Sequence, residues 1–269
     1  MQGRFVLWNS YFGFVITLVA IFTLVPYLTA LVSSWLGHAS KVILVDNLGN
    51  NSQLLVGGLG VVIHELGHAI FAYLFGHQVT KVQLLNLDYR QSGSLGSVNH
   101  RWNDRNVYQM LGNFFIGLAP YYMCSIALYF LQKFLLRAQF SLTALTQLDL
   151  NTTVSLTNIF DSVLDNLKSS FTNASFGMIV IYIILTIMIA STGYDLSRED
   201  FMTVNKGILP WVVTLIILGS VLYILQIRVL VMTFSIYFVT FSILFMFHAI
   251  ISIVLSMIVI KILGMFNFL

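Results

Sequence analysis

The amino-acid sequence predicts an α-helical polytopic membrane protein with about six transmembrane helices and a small β-hairpin after the second of them. Three observations lead to this fold class. Of the 269 residues, 58% are hydrophobic and only 9% are charged, with a mean hydropathy of +0.89, and such a chain would aggregate if most of its surface faced water. The apolar residues fall into six long windows, and one segment between two windows shows strand-like alternation instead.

Each window has about 20 or more mostly apolar residues, the length that a helix needs to cross the hydrocarbon core of a bilayer. The first is too long for the apolar region of a signal peptide and lacks a clear small-x-small cleavage site, so it predicts a retained helix, bent near Pro26. We expect a single membrane-embedded domain over residues 1–269. The windows cover approximately residues 9–35, 55–76, 111–135, 175–193, 208–227 and 233–262.

Six spans would place both ends of the chain on one side of the membrane, together with the connections 77–110 and 194–207. That side carries eight of the 13 Lys and Arg residues, so the positive-inside rule predicts that it is cytoplasmic. The net charge of +3 is explained by the unequal distribution of Lys and Arg between the connections on the two sides, and it does not resemble the basic patch of a nucleic-acid-binding protein. We therefore expect a multi-pass protein of a cell membrane with cytoplasmic termini and no nucleic-acid partner.

Two connections predict structure of their own. In residues 79–100 apolar and polar side chains alternate imperfectly around the turn sequence Gln91-Ser92-Gly93, which predicts a strand and hairpin at the cytoplasmic face. This hairpin could close the helix bundle, or its edge could pair with an extended substrate segment. In the connection 136–174, apolar residues between 159 and 167 recur at helical spacing and predict an amphipathic helix on the membrane surface.

The most specific motif is His64-Glu65-Leu66-Gly67-His68, which lies inside the apolar window 55–76. A helix turns about 100° per residue, so histidines four positions apart share one face and can bind one Zn²⁺ ion. Glu65 then lies beside the metal, where it can take a proton from water. The alternative to a zinc site is that these three side chains form a polar cluster that joins two membrane helices. Ionisable residues at bilayer depth are costly, however, and usually have a function.

A catalytic zinc site needs a third protein ligand, commonly His, Asp or Glu. The single cysteine, Cys124, lies in the third window, so the ligands must be histidines and carboxylates. The best candidates for this third ligand are Asp200 and, as the alternative, Asp195. Their acidic cluster follows the fourth window on the side of the membrane toward which His68 points. Ser197-x-x-Asp200 also predicts a helix N-terminus with Ser197 as N-cap, which explains the acids without a metal.

Five further polar residues are candidates for the site. His38, His77, His100 and His248 could each supply the third ligand, although a helix-end, surface or packing role explains each of them. Asn113 lies at the start of the third window. Its amide could donate to an oxyanion or hold a substrate backbone, or it could simply join two helices.

These segments together resemble the site-2 protease family of intramembrane zinc metalloproteases, in its compact bacterial branch without a PDZ domain. The resemblance covers roughly residues 54–205, and the first motif is its most specific part. The family's third ligand is an Asp in a Leu-Asp-Gly setting, which occurs nowhere in this chain, so the 195–200 cluster is the positional substitute. The matching text is Val62-Ile63-His64-Glu65-Leu66-Gly67-His68-Ala69, Phe75-Gly76, Gly96-Ser97-Val98, Gly112-Asn113-Phe114-Phe115-Ile116-Gly117-Leu118-Ala119-Pro120 and Leu196-Ser197-Arg198-Glu199-Asp200.

The resemblance implies a zinc metalloendopeptidase that hydrolyses peptide bonds inside the membrane, with one Zn²⁺ per chain. His64 and His68 would be zinc ligands, Glu65 the general base, and Asn113 a substrate or oxyanion contact. The implied partners are the lipid bilayer and a membrane-protein or signal- or pheromone-like peptide substrate. The implied location is the bacterial plasma membrane.

Two other function classes stay open. A membrane protease of the prenyl-protein-processing type would complete the motif with a later Glu, which only Glu199 could supply. A non-catalytic zinc-binding scaffold, immunity factor or transporter subunit would keep the histidines without turnover. A Glu65→Gln variant separates these classes, because only a protease should keep zinc and lose cleavage.

Overall fold

The computed structural model describes residues 10–137 and 156–266, and most of them lie in helices. Two strands, β1 Gln78–Gln83 and β2 Ser97–Arg101, pair antiparallel with an irregularity between Val79 and Lys81. The helices are α1 Tyr11–Leu48, α2 Ser52–Leu55, α3 Gly58–Leu74, α4 Tyr89–Ser92, α5 Val107–Leu135, α6 Leu156–Asn173, α7 Phe176–Ala190, α8 Arg198–Ile224 and α9 Arg228–Met265.

Four helices in the described part of the chain, α1, α5, α8 and α9, are long and apolar enough to cross a membrane. The protein is therefore a polytopic helical membrane protein with a small two-stranded sheet, as the composition predicts. The count of six spans is not confirmed. The windows 55–76 and 175–193 form apolar helices of only 17 and 15 residues, because a turn at 56–57 precedes the first helix and a turn at 191–194 ends the second.

Helix α1 continues through Pro26 over 38 residues. Proline has no backbone N–H, so the carbonyl of Phe22, four residues earlier, loses its partner within the helix. The indole Nε1 of Trp211 in α8 donates to this carbonyl at 3.0 Å. The cross-helix bond satisfies a backbone acceptor that the membrane could not, and it ties α8 to α1 at this depth.

Helices α7 and α8 together run antiparallel to α1 along its whole length. Ile187 of α7 packs in one cluster with Leu44 near the end of α1. The hydroxyl of Tyr11, at the start of α1, lies 2.7 Å from that of Ser220 near the end of α8. Between them, the backbone N–H of Leu196 donates to the hydroxyl of Ser34 at 3.1 Å. The two helices therefore form one interrupted path past α1, broken at residues 191–197.

This arrangement corrects the predicted topology, in which the fourth and fifth windows run in opposite directions and both chain ends share one side. Helix α9 runs parallel to α1, since Phe22 stacks on Phe234 near the start of both helices, with ring centroids 5.9 Å apart. Near their other ends, a Cβ added at Gly264 would lie 2.7 Å from the Cβ of Asn47. The starts of α1 and α9 lie at one end of the bundle, and their ends at the other.

The hairpin also differs from its predicted place at one membrane face. It leaves the C-terminal end of α3 and returns along that helix toward its N-terminal end. Leu85 lies beside Gly58, and the guanidinium Nη2 of Arg90 donates to Oδ1 of Asn51 at 2.8 Å. The hairpin thus covers the length of α3 and forms one wall of the space beside the motif.

Helix α5 lies at the centre of the bundle, between α3 and α8. Its side chains Phe114, Leu118 and Tyr121 are fully buried in the main core cluster. Helix α6 confirms the predicted helix in its connection, and Gln132 of α5 donates to Asn166 of α6 at 2.9 Å. Residues 138–155 of that connection lie outside the described residues.

Candidate metal centre

The two motif histidines occupy one face of α3 and are held by backbone carbonyls from other elements. The Nδ1 atom of His64 lies 3.0 Å from the carbonyl oxygen of Gly193. The Nδ1 atom of His68 lies 2.9 Å from the carbonyl oxygen of Ile116 in α5. A carbonyl can only accept, so each Nδ1 must donate, and each neutral ring then carries its lone pair on Nε2.

These two Nε2 atoms lie 3.3 Å apart. Two lone pairs at that distance repel each other unless a proton or a cation lies between them. Hydrogen bonds from the second ring nitrogen to carbonyls are the usual way in which proteins orient metal-binding histidines. The geometry of His64 and His68 therefore favours a shared metal ion over a packing role.

Asp200 completes the group. Its Oδ1 lies 3.0 Å from Nε2 of His68, and its Oδ2 lies 3.6 Å from Nε2 of His64. Within the described residues, these are the three metal-ligating side chains that come together, with their ligand atoms all within 4.8 Å of one another. Asp200 is 9% exposed, and the two histidines are similarly buried.

Asp200 also caps α8. The backbone N–H of Ser197 donates to Oδ2 of Asp200 at 2.6 Å, and the N–H of Asp200 donates to the hydroxyl of Ser197 at 3.2 Å. The predicted helix start at Ser197 is thus confirmed as a capping box. The capping role and the position beside the histidines are compatible, because Oδ1 faces His68 while Oδ2 accepts from Ser197 and still lies 3.6 Å from Nε2 of His64.

The interrupted segment 191–197 explains why Asp200 reaches the motif. Thr192 donates from its hydroxyl to the carbonyl of Gly57 at 2.6 Å, which holds the segment against the start of α3. A Cβ added at Gly117 in α5 would lie 2.5 Å from the carbonyl oxygen of Asp200. Only glycine at this position lets α5 approach the first turn of α8 closely enough for the carboxylate to meet the histidines.

Asp195, the alternative third ligand, has other partners. Its Oδ2 accepts from Nζ of Lys41 at 2.9 Å, and its Oδ1 lies 3.2 Å from Nδ1 of His38. This carboxylate borders the same cavity but binds the end of α1 instead of the histidines. The sequence predicts that the acidic cluster follows a span that ends on one side of the membrane, whereas in the structure it lies beside the motif, at the break between α7 and α8.

A cavity of about 870 Å³ opens beside the three side chains and Glu65. It extends toward the end of α1, where Lys41, Asn50 and Gln53 line it, and the hairpin forms its other wall. Glu65 is 9% exposed. A Cβ added at Gly96 of the hairpin would lie 2.6 Å from Cγ of Glu65, so the glycine lets the hairpin pass directly over this carboxylate.

Asn113 does not enter the cavity. Its side chain is 1% exposed, its Nδ2 donates to the carbonyl of Met110 at 3.3 Å, and its Oδ1 has no hydrogen-bond partner among the described residues. The backbone of the next turn, at Ile116, is the part of α5 that contacts His68. The structure therefore does not bring Asn113 to the substrate or oxyanion position predicted for it.

The remaining histidines are not third ligands in the described structure. His38 pairs with Asp195, and His248 is buried in α9 with 4% exposure. His77 contacts His100, and His100 lines the cavity. The sequence pattern does not reveal the two carbonyls that orient the motif. The run Ser191-Thr192-Gly193-Tyr194 at the end of the fourth window is the one local signal of a broken helix.

Neither a protein-family model, nor a curated protein sequence, nor a solved structure matches this chain.

Proposed function

We propose that this protein is an intramembrane zinc metalloprotease similar to the site-2 proteases, which hydrolyses peptide bonds of membrane-embedded substrates. The observation that carries the proposal is the convergence of His64, His68 and Asp200 next to Glu65 in a cavity within an apolar helix bundle. Two imidazoles and one carboxylate with an open side are the protein ligands of hydrolytic zinc sites. Purely structural zinc sites instead surround the ion with four protein ligands.

Zn²⁺ fits this donor set, since each neutral imidazole that donates from Nδ1 would offer its Nε2 lone pair and the carboxylate would supply an anionic oxygen. When bound, the ion would polarise a peptide carbonyl and lower the pKa of water. Glu65 would accept the proton of that water and later deliver it to the leaving amine nitrogen. The carbonyls of Gly193 and Ile116 would hold the imidazoles in the tautomer that binds metal.

The cavity supports hydrolysis inside a membrane protein because it supplies a polar path to the site. Lys41, Asn50 and Gln53 line it toward the end of α1, and these side chains can hydrogen-bond the water that hydrolysis consumes. Burial of the three ligands at 8–9% exposure keeps bulk water from competing for their charges.

The hairpin supports a role in substrate binding. A helical substrate hides its carbonyls in hydrogen bonds, so its scissile segment must be extended before attack. A two-stranded sheet leaves an outer edge on each strand, and residues 97–100 of β2 line the cavity. Strand addition to such an edge holds a peptide extended without demanding a particular sequence. The substrate class would be a single-span membrane protein or a signal- or pheromone-like peptide.

The membrane setting completes the proposal. Six crossings of a bacterial plasma membrane with cytoplasmic termini, as predicted from hydropathy, would require α3, α7 and α8 to cross separately. The parallel α1 and α9 support instead a path with the two ends on opposite sides. Reporter fusions at the two termini distinguish these topologies directly.

The decisive experiment is a Glu65→Gln variant, with Glu199→Gln as its matched control. Glu199 is the other glutamate of the chain, and it also borders the cavity. We expect Glu65→Gln to retain one zinc per chain and to accumulate a single-span precursor in the membrane proteome, whereas Glu199→Gln leaves the proteome unchanged. Unchanged biological activity of Glu65→Gln would contradict the catalytic proposal and favour a non-catalytic zinc scaffold; loss of zinc in Glu199→Gln would favour the prenyl-processing type.

A further inference from the structure

A second pair of histidines lies outside the three side chains of the candidate metal site, and one of the two, His100, lines the cavity. His77 follows α3 directly, and His100 lies in β2. Their Nδ1 atoms are 2.9 Å apart, and the Nε2 atom of His77 lies 2.8 Å from the carbonyl oxygen of Gln109. His77 is 4% exposed, so its two ring nitrogens depend on these two partners.

These contacts determine where the protons lie. The carbonyl of Gln109 can only accept, so Nε2 of His77 must carry a proton and, in the neutral ring, its Nδ1 must be a lone pair. The 2.9 Å contact then requires His100 to donate from its own Nδ1. Neutral His100 consequently has its remaining lone pair on Nε2, and it is a hydrogen-bond acceptor.

The surroundings keep His100 neutral and fixed in place. Burial, with a smaller contribution from the neighbouring His77, His68 and Lys206, lowers the pKa of His100 to about 4. Its ring lies near that of Trp102, with centroids 5.8 Å apart, and the ammonium of Lys206 lies 5.1 Å from the centre of the same indole. An acceptor is thus built into the cavity wall, and His77, Trp102 and Lys206, which hold it there, are not among the three side chains of the candidate metal site.

We propose that His100 is a positioning residue that accepts, through Nε2, a hydrogen bond from a backbone N–H of the peptide bound in the cavity. This inference rests on the proposed proteolytic function. The metal site recognises a carbonyl oxygen, whereas an extended peptide also brings N–H groups against the cavity wall, where they lose part of their contact with water. Such a donor needs an acceptor, because a buried N–H without a partner weakens binding.

The test uses purified, zinc-loaded protein in detergent and a peptide hydroxamate, a zinc-binding group attached to an extended backbone. A series of analogues, each methylated at one backbone nitrogen, removes the N–H donors one at a time. We expect His100→Phe to weaken binding of the parent hydroxamate about tenfold. The analogue that lacks the N–H bound by His100 should have the same affinity for wild type and for His100→Phe, because neither complex can form that hydrogen bond. His100→Gln, which offers an amide oxygen as acceptor, should recover part of the affinity.

Two controls separate this inference from the proposed function. His38→Phe changes a histidine at the end of α1 whose side chain is 68% exposed, and it should bind the whole series as wild type does. Zinc content of each variant reports an intact metal site. If the hydroxamates bind in a zinc-dependent way but every N-methylation weakens binding equally in wild type and His100→Phe, the inference about His100 is overturned and the proteolytic proposal stands. If the protein binds none of the hydroxamates, both are overturned.

Discussion

Oδ1 of Asp200 lies 3.0 Å from Nε2 of His68, while Oδ2 of the same carboxylate caps α8 through the N–H of Ser197. One side chain therefore joins the candidate metal site to the start of a long helix. The capping box fixes the orientation of the Asp200 carboxylate without a metal ion. Less conformational entropy is therefore lost when Asp200 and the two histidines bind an ion.

Asp200→Ala removes both functions, so we expect it to lose zinc and to lower the free energy of unfolding by about 1 kcal/mol through the missing cap. Asp200→Asn retains a capping oxygen and should lose zinc with a smaller loss of stability. Zinc per chain, from metal analysis of purified protein, and thermal unfolding in detergent measure the two effects. Asp195→Ala is the control and should keep its zinc; if instead it loses zinc and Asp200→Ala does not, the assigned ligand is wrong.

Metal removal should destabilise the protein, because an ion shared by the Nε2 atoms of His64 and His68, which lie 3.3 Å apart, would bind the folded chain and not the unfolded one. Zinc at 100 times its dissociation constant should raise the free energy of unfolding by about 2.7 kcal/mol. Thermal unfolding with and without a chelator measures the difference. Glu65→Gln should retain this stabilisation and His68→Ala should lose it; an equal response of all three proteins would exclude the proposed ligands.

The close approach at Gly117 is a requirement of the site. In Gly117→Ala the new Cβ would collide with the carbonyl of Asp200, so we expect α8 to move away, zinc binding to fall and stability to drop by roughly 1–3 kcal/mol. Gly177→Ala is the matched control, since nothing lies within 4 Å of a Cβ at that position. Zinc titration of the two variants is the measurement, and equal zinc affinity would show that α8 does not depend on this contact.

The bond from Trp211 to the carbonyl of Phe22 should be coupled to Pro26. Trp211→Phe leaves that carbonyl without its donor, at a cost of about 1 kcal/mol. Pro26→Ala supplies a backbone N–H within α1 that can satisfy the same carbonyl, so Trp211→Phe should cost less in that background. A double-mutant cycle of unfolding free energies tests this relationship; additive effects would mean that the indole does not substitute for the missing amide.

Acidification should destabilise the wall of the cavity that contains His77 and His100. Burial lowers the pKa of both side chains, that of His100 to about 4, so the unfolded chain binds more protons than the folded one between pH 6.5 and 4. Stability is therefore full above pH 6.5 and falls toward pH 4, by roughly 1 kcal/mol once solvent screening is included. Unfolding measured between pH 7.5 and 4.5 should show this loss, and His100→Gln should reduce it.

Much of the candidate site follows from local sequence. The spacing of His64 and His68 places them on one helical face whatever the rest of the chain does, and Ser197-x-x-Asp200 predicts the helix start that the structure contains. The apolar windows predict helices for the same reason, since hydrophobicity and length decide which segments enter a bilayer. These features depend on residues at most a few positions apart.

Other features depend on contacts between distant residues. Asp200 rather than Asp195 meets the histidines because Lys41 and His38 bind Asp195 and because Gly117 admits the first turn of α8. Neither contact has a local signature. The same holds for Asn113, whose motif position indicates a functional amide while helix packing buries it outside the cavity.

By itself the sequence determined that this is a helical membrane protein with an H-E-x-x-H pair on one helix, because hydropathy and helical periodicity are local properties. Only the tertiary structure decided that α7 and α8 form one broken path, that the hairpin lies along α3, and which carboxylate joins the histidines. Each of these is set by long-range packing at glycines and by hydrogen bonds to carbonyls such as that of Gly193. Their energies arise only when distant segments meet.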